Sequence, residues 1–339
     1  MTIESSARPL VEGHRSSSGG WSDGGRSRLA GSSRQPSDDS GHSFLDDFAG
    51  ASEGPQLEHN HDPRLLNALQ FESMTTRVGF WVYGNRTGVV EALEQARDYV
   101  LEVERRLSRF RSDSELGLLN RKTGKGPQKV SKLLAEVTAA SLQLARRFPR
   151  LVDPTVLPAL IRAGYGEGET LGRIDYLGVE LDEEGGTVSL APGVTLDFGG
   201  VAKGWLADKL ALKLREFGAC LVDVGGDLRA AGPLAWPIGL ENPWQSGECL
   251  RNFYLFEGAV ATSSLLARAG GRGRNHLIDP RTALPVDNDL VASSVRADTA
   301  LQAEGLAKAT LILGSDQGRA LLREKSARGI LFGKDGRLR

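Results

Sequence analysis

Apolar positions along this chain change period several times, and each change marks an element. Between residues 88 and 107 the stripe Leu93, Ala96, Val100, Val103, Leu107 repeats at helical spacing, with Glu91, Glu94, Asp98 and Arg105 on other faces. A second helix is predicted over 131–148, capped by Ser131 and carrying Leu134, Val137, Ser141, Leu144 and Phe148. Phe71 to Tyr83, including Val78-Gly-Phe-Trp-Val-Tyr83, is aromatic and β-branched and reads as one strand. Short strands are expected near 187–190 and 194–198, followed by a helix over 201–217 whose apolar face is Ala202, Leu206, Leu210, Leu214 and Phe217. Cys220 to Arg229 reads as a hairpin turning on Gly225-Gly226. Strands near 236–241, 251–256 and 259–263, helices near 299–314 and 316–327, and a last strand at Ile330-Leu-Phe332 complete the body. Hairpins combined with partly segregated helices indicate an α+β fold rather than a purely parallel sheet.

Residues 1–63 break from this patterning. Ser, Gly, Asp and Arg dominate, as in Ser16-Ser-Ser-Gly-Gly-Trp-Ser-Asp-Gly-Gly25, and offer too little apolar surface to offset the entropy of ordering. A disordered tail is expected there, with residues 64–339 forming one folded domain. Four of the five histidines, His14, His42, His59 and His61, lie in that tail. His59-Asn-His61 has a weak metal-binding spacing, although scattered tail histidines ordinarily bind nothing.

Charge and cysteine content narrow the function classes. A net charge of −1 gives no global field for nucleic acid or an anionic membrane. The two cysteines, Cys220 and Cys249, form no C-x-x-C, so neither a disulfide framework nor a zinc site is expected. The first residues hold no apolar secretory core, and no apolar run is long enough to span a bilayer, so no membrane insertion and a cytoplasmic location are expected.

Candidate chemistry concentrates in Thr195-Leu-Asp-Phe-Gly-Gly-Val-Ala-Lys-Gly-Trp205. One carboxylate, Asp197, precedes Gly199-Gly200, and Lys203 falls in the first turn of the following helix. Adjacent glycines allow close backbone approach, helix-start N–H groups point outward, and the ammonium adds a point charge, so the layout suits a phosphate. It lacks the spacing and the Ser or Thr of a P-loop. A plain strand–turn–helix connection with a solvated Lys is the competing reading.

Six segments in order resemble the FAD:protein FMN transferase family, the ApbE-like flavin transferases. They are Leu107-Ser-Arg-Phe-Arg-Ser-Asp-Ser-Glu115 with Leu119-Asn120; Asp153-Pro-Thr155; Leu196 to Gly204 with Asp208; Val224-Gly-Gly-Asp227; Val260-Ala-Thr-Ser263; and His276-Leu-Ile-Asp-Pro-Arg-Thr282 with Pro285-Val286. The resemblance covers roughly residues 70–315. It implies a two-lobed α+β fold with mixed and antiparallel sheets, holding FAD in a cleft between the lobes. It also implies transfer of the FMN half of FAD to a Thr or Ser hydroxyl of an acceptor protein, with release of AMP and use of Mg²⁺.

The resemblance assigns flavin-nucleotide contacts to Met74, Phe110, Val152, Asp153, Asp197, Lys203 and Ile278, and makes His276 the catalytic histidine, accepting or relaying the acceptor hydroxyl proton. Plainer roles compete: core filler for Met74, a turn signal for Asp153-Pro-Thr155, a surface ion pair for Lys203, a structural hydrogen bond for His276. The metal ligands would be the Gly200 carbonyl and the positions of Glu304 and Lys308, where the family has Asp and Thr. An ammonium has no lone pair to give a metal. Either the Lys308 ammonium sits where Mg²⁺ would sit and pairs with Glu304, or Lys308 swings outward and a distorted metal site survives. Three family glycines are also replaced, in Met74-Thr-Thr76, Thr262-Ser-Ser264 and Pro280-Arg-Thr-Ala283. Where those glycines permit close approach or positive φ, the site is expected to shift. A non-catalytic FAD carrier or regulatory protein and an FAD pyrophosphatase are the alternative functions.

Overall fold

The computed structural model describes residues 62–339, apart from 169–170, 246 and 267–274. The expected tail, its four histidines included, therefore falls almost wholly outside the described residues. After a single 3₁₀ turn at Pro63–Leu65, capped by the Asp62 carboxylate, the chain enters β1 (Leu66–Ser73) and β2 (Thr76–Tyr83). The one strand expected over 71–83 is thus a hairpin. Met74 and Thr75 make its turn with φ of 52° and 58°, and neither residue type announces a left-handed backbone.

Helix α1 (Val89–Leu107) buries its expected stripe, and a short α2 (Glu115–Asn120) follows. Next come β3 (Gln128–Lys129) and α3 (Lys132–Arg147), whose N-terminus is capped by Ser131 Oγ accepting from Leu134 N. A short α4 (Leu157–Arg162) leads to β4 (Val179–Asp182) and β5 (Thr187–Leu190), which form a small sheet with β3. Helix α5 spans Ala202–Leu214. The second half then runs β6 (Ala219–Val224), β7 (Asp227–Ala231), β8 (Trp236–Glu241), β9 (Cys249–Leu255) and β10 (Gly258–Ser264). It continues through β11 (Ile278–Asp279), β12 (Leu284–Pro285) and β13 (Leu290–Ala297) to α6 (Ala300–Leu313), α7 (Ser315–Glu324) and β14 (Arg328–Gly333).

Seven strands form the main sheet in the order β1-β2-β6-β7-β10-β13-β14, with every neighbouring pair antiparallel. The fold is mixed α+β. Side chains alternate across the sheet as a two-residue period demands. Phe80, Val82, Val222 and Val224 pack with α1, α3 and α5, whereas Trp81, Leu221, Leu228 and Val260 pack against the β8–β9 hairpin through Trp236, Ile238 and Phe253. Among the described residues no helix is long and apolar enough to cross a membrane.

Two further expectations are corrected. No strand forms over 194–198, because side-chain and loop groups take its backbone bonds: Leu196 N donates to Asn120 Oδ1 at 2.7 Å, Asn120 Nδ2 donates to Leu196 O at 2.8 Å, and Asp197 N donates to Pro154 O at 2.7 Å. Strand β13, central between β10 and β14, was not anticipated. Its Ser293 and Ser294 interrupt the apolar signal yet are wholly buried, with the Ser294 hydroxyl 2.8 Å from that of Thr262.

Candidate functional site

Helices α5 and α6 meet at a glycine. A Cβ on Gly204 would lie 2.7 Å from the Ala300 carbonyl oxygen and 2.8 Å from Glu304 Oε2, so only hydrogen lets the two helices approach this closely. The entry to α6 is fixed twice. Thr299 Oγ1 accepts from Gln302 N, and the Asp208 carboxylate reaches from α5 to accept from Ala300 N at 2.8 Å and Leu301 N at 2.9 Å. Glu304 is thereby held against the first turn of α5, where its Oε2 accepts from Gly204 N at 3.0 Å. Its other oxygen accepts from Lys308 Nζ at 2.9 Å.

Lys203, from the same first turn of α5, donates to Asp227 Oδ2 on β7. The two pairs form one cluster. Asp227 and Glu304 are each 1 % exposed, whereas the Lys203 and Lys308 side chains are 19 % and 17 % exposed. The carboxylates lie beneath and the cations above. Burial pushes the Asp227 carboxyl above its ordinary range, and the Lys203 ammonium pulls it back only in part. Burial also acts to raise Glu304, but Lys308 and Lys203 outweigh it and leave that carboxyl below its ordinary value.

The loop before α5 carries a second ionic arrangement. Asp197 Oδ1 accepts from Gly199 N at 2.9 Å, while Oδ2 pairs with Arg109 Nε at 2.8 Å. Arg109 also donates to the Tyr165 carbonyl at 2.6 Å, and its guanidinium lies 4.1 Å from the centre of the exposed Phe110 ring. Tyr165 in turn meets His276 edge-to-face at 6.1 Å between centroids and packs in the small apolar cluster of Ile278, Ala159 and Leu160. Asp153 Oδ1 accepts from the Thr155 amide and hydroxyl, closing the turn that its Asp-Pro-Thr pattern suggests. Burial raises its carboxyl, against those hydrogen bonds. Val152 is buried in the α6 core beside Phe148 and Val201.

Asp197, Arg109, Tyr165, His276 and Ile278 thus form a continuous chain of contacts, with Asp153 tied to it only through the neighbouring Pro154 carbonyl, which accepts from Asp197 N, and with Gly199-Gly200 leading on to the lysine pairs. Met74 stands beyond that chain. It packs on the core that includes α1, its N–H donates to Glu104 Oε1 at 2.9 Å, and Ser73 Oγ donates to Glu104 Oε2 at 2.6 Å. Its turn lies beside the β6–β7 turn, since a Cβ on Gly225 would sit 2.5 Å from Thr76 Oγ1. Sequence reasoning missed Arg109, Asn120 and Tyr165 as site-building residues. Arg109 and Asn120 lie inside a quoted motif, but their partners are far away in the chain.

The family model for ApbE matches residues 74–331. The chain belongs to the ApbE family. It is 30% identical over 288 residues to a FAD:protein FMN transferase of Treponema pallidum, covering 74% of this chain and 80% of that one. It is 28% identical over 268 residues to one from Haemophilus influenzae, covering 69% and 76%. The crystal structure of the ApbE protein of Thermotoga maritima shares the fold with a TM-score of 0.72 at 23% identity, covering 81% of this chain and 96% of that one.

Against the ApbE pattern, two of the three replaced glycines keep a left-handed backbone. Thr75 has φ 58° and Ala283 φ 57°, so the turns persist and carry the strain that a Cβ brings. The metal position does not fit Mg²⁺. Lys308 turns inward to Glu304 rather than outward, both Glu304 oxygens are engaged, and an ammonium donates hydrogen bonds but no electron pair. Among the described residues no group of three His, Cys, Asp or Glu side chains is placed to hold a metal ion.

Proposed function

We propose that this chain is an FAD:protein FMN transferase, moving the FMN half of FAD to a Thr or Ser hydroxyl of an acceptor protein and releasing AMP. The acceptor oxygen bonds the FMN phosphorus, the bond from that phosphorus to the bridging oxygen breaks, and AMP leaves with that oxygen. Such a transfer is governed by positioning and by neutralising charge on phosphate oxygens. In this reading the Lys203 and Lys308 ammoniums and the N-terminus of α5 meet the diphosphate. His276 accepts the acceptor proton, a task suited to a group that titrates near neutrality. Asp197, braced by Arg109, and Asp153 contact the nucleotide, and Met74, Phe110, Val152 and Ile278 supply its apolar flanks. Residues 64–339 act as one FAD-binding unit, in the cytoplasm.

The observation that carries this reading is the layered cluster at the start of α5, with two buried carboxylates holding two ammoniums toward the surface in a chain of this family. The test is to incubate purified protein with FAD, with and without a library of peptides each bearing one Thr or Ser. AMP release that depends on peptide supports transfer. AMP release without peptide indicates a pyrophosphatase, and FAD binding without AMP indicates a carrier.

A further inference from the structure

We infer that the Lys308 ammonium stands in for a divalent cation, so that this chain binds the FAD diphosphate and transfers from it without Mg²⁺. The inference rests on the flavin-transfer reading and sharpens it.

Lys308 is not an incidental surface residue. An ordinary Glu–Lys pair one helical turn apart is solvated on both sides. Here Glu304 is 1 % exposed and Lys308 17 %. The lysine stem is laid over the turn that opens α5, where a Cβ on Gly200 would lie 2.9 Å from Lys308 Cε and 3.7 Å from Nζ. Gly200 therefore leaves the room that the lysine fills. Its ammonium reaches the place between the Gly200 backbone and the Glu304 carboxylate where the family resemblance puts the metal.

Admitting Mg²⁺ there would take several changes at once. The ion needs near-octahedral oxygen ligands at about 2.0–2.1 Å. One Glu304 oxygen is committed to Gly204 N–H at 3.0 Å, and freeing the other means expelling the ammonium at 2.9 Å. Lys203 and Lys308 already present two cations above their buried partners. Each phosphate of the FAD diphosphate carries negative charge at neutral pH, and each ammonium has N–H donors beyond the one its carboxylate takes, offered without strict geometry.

The experiment titrates the full chain with FAD, following flavin fluorescence, once in EDTA and once in excess Mg²⁺. Affinities within about threefold of each other support the inference, and binding tighter by more than about threefold with Mg²⁺ overturns it. Lys308→Thr should weaken binding in EDTA by about tenfold, with recovery on adding Mg²⁺. Because that variant strands a buried carboxylate, a measurement on the unmodified chain accompanies it, with Mn²⁺ as a paramagnetic probe. FAD-loaded protein should retain no Mn²⁺ and show no broadening of the FAD phosphorus resonances, and retained Mn²⁺ with broadening overturns the inference. Failure to bind FAD in either buffer would remove the transfer reading itself. FAD binding that requires the metal would remove only the inference.

Discussion

The two lysine pairs at the start of α5 are alike in chemistry and unlike in origin. Lys203 reaches Asp227 across the packing of α5 on the main sheet, so the pair exists only when the tertiary fold does. Lys308 reaches Glu304 along one turn of α6, so the backbone alone brings them together. A family motif carries the first pair, while the second stands at a position where this chain departs from its family. In both, the carboxylate is sealed and the cation is not. Burial of the acid decides what the pair is worth, and sequence separation says nothing about it. Replacing a buried pair as a unit is often nearly neutral, whereas removing one partner is expensive.

That contrast can be broken from either side. The largest effect should come from Lys203→Ala, which leaves the buried Asp227 carboxyl without the cation that partners it. We expect a stability loss of about 3–5 kcal/mol by chemical denaturation. The double variant Lys203→Met/Asp227→Asn should recover most of that stability while still failing to bind FAD, and recovery of binding as well would remove Lys203 from the phosphate site. Lys308→Met should cost less, about 2–3 kcal/mol, because Gly204 N–H still satisfies one Glu304 oxygen. Equal losses for the two lysines would mean that this backbone bond contributes nothing.

Two turns at one end of the main sheet differ in a way that can be sharpened. Gly225-Gly226 closes the β6–β7 hairpin with φ of 63° and 87°, at no steric cost. Met74-Thr75 closes the β1–β2 hairpin in the same left-handed region with side chains attached, and Glu104 holds it by accepting from Ser73 Oγ and Met74 N. Thr75→Gly should therefore stabilise the protein by about 1 kcal/mol, seen as a raised thermal midpoint. A neutral or lowered midpoint would show that the β-branched residue carries no strain there.

The smallest effect concerns pH. Burial holds the Asp208 carboxyl above its ordinary value of 3.8, with the N–H groups of Leu301 and Ala300 and the Arg229 charge opposing. An acid with a raised folded value binds more protons folded than unfolded. Its stabilising share is full below the ordinary value and fades as pH climbs through the folded one. Asp208→Asn should flatten the fall of stability with pH just above pH 3.8. A slope unchanged from the parent would assign that fall to other groups.

What the sequence made legible follows from how local each signal is. The α1 and α3 stripes repeat along one helix and stand out at once. Gly225-Gly226 advertises its turn, whereas Met74-Thr75 needs a left-handed backbone that neither side chain signals. Strand β13 was hidden because Ser293 and Ser294 are buried, one of them satisfied through Thr262 on the next strand. Lys203 and Asp227 were each legible inside a motif, but their pairing across the fold was not. Arg109 escaped notice because its meaning lies in Asp197 and the Tyr165 carbonyl, both distant in the chain. The segment 194–198 looked like a strand and is held extended by Asn120 and Pro154 instead. Local periodicity thus gives most elements, while a site built from pairings across the fold appears only in three dimensions.

The most direct test of the account is a stoichiometry in EDTA. Purified protein, FAD and the peptide library are mixed, peptides are read by mass spectrometry, and AMP is quantified in the same sample. The account predicts one FMN esterified to a Thr or Ser for each AMP released, with the metal chelated throughout. Bound FAD that yields neither AMP nor labelled peptide, with or without Mg²⁺, would contradict it.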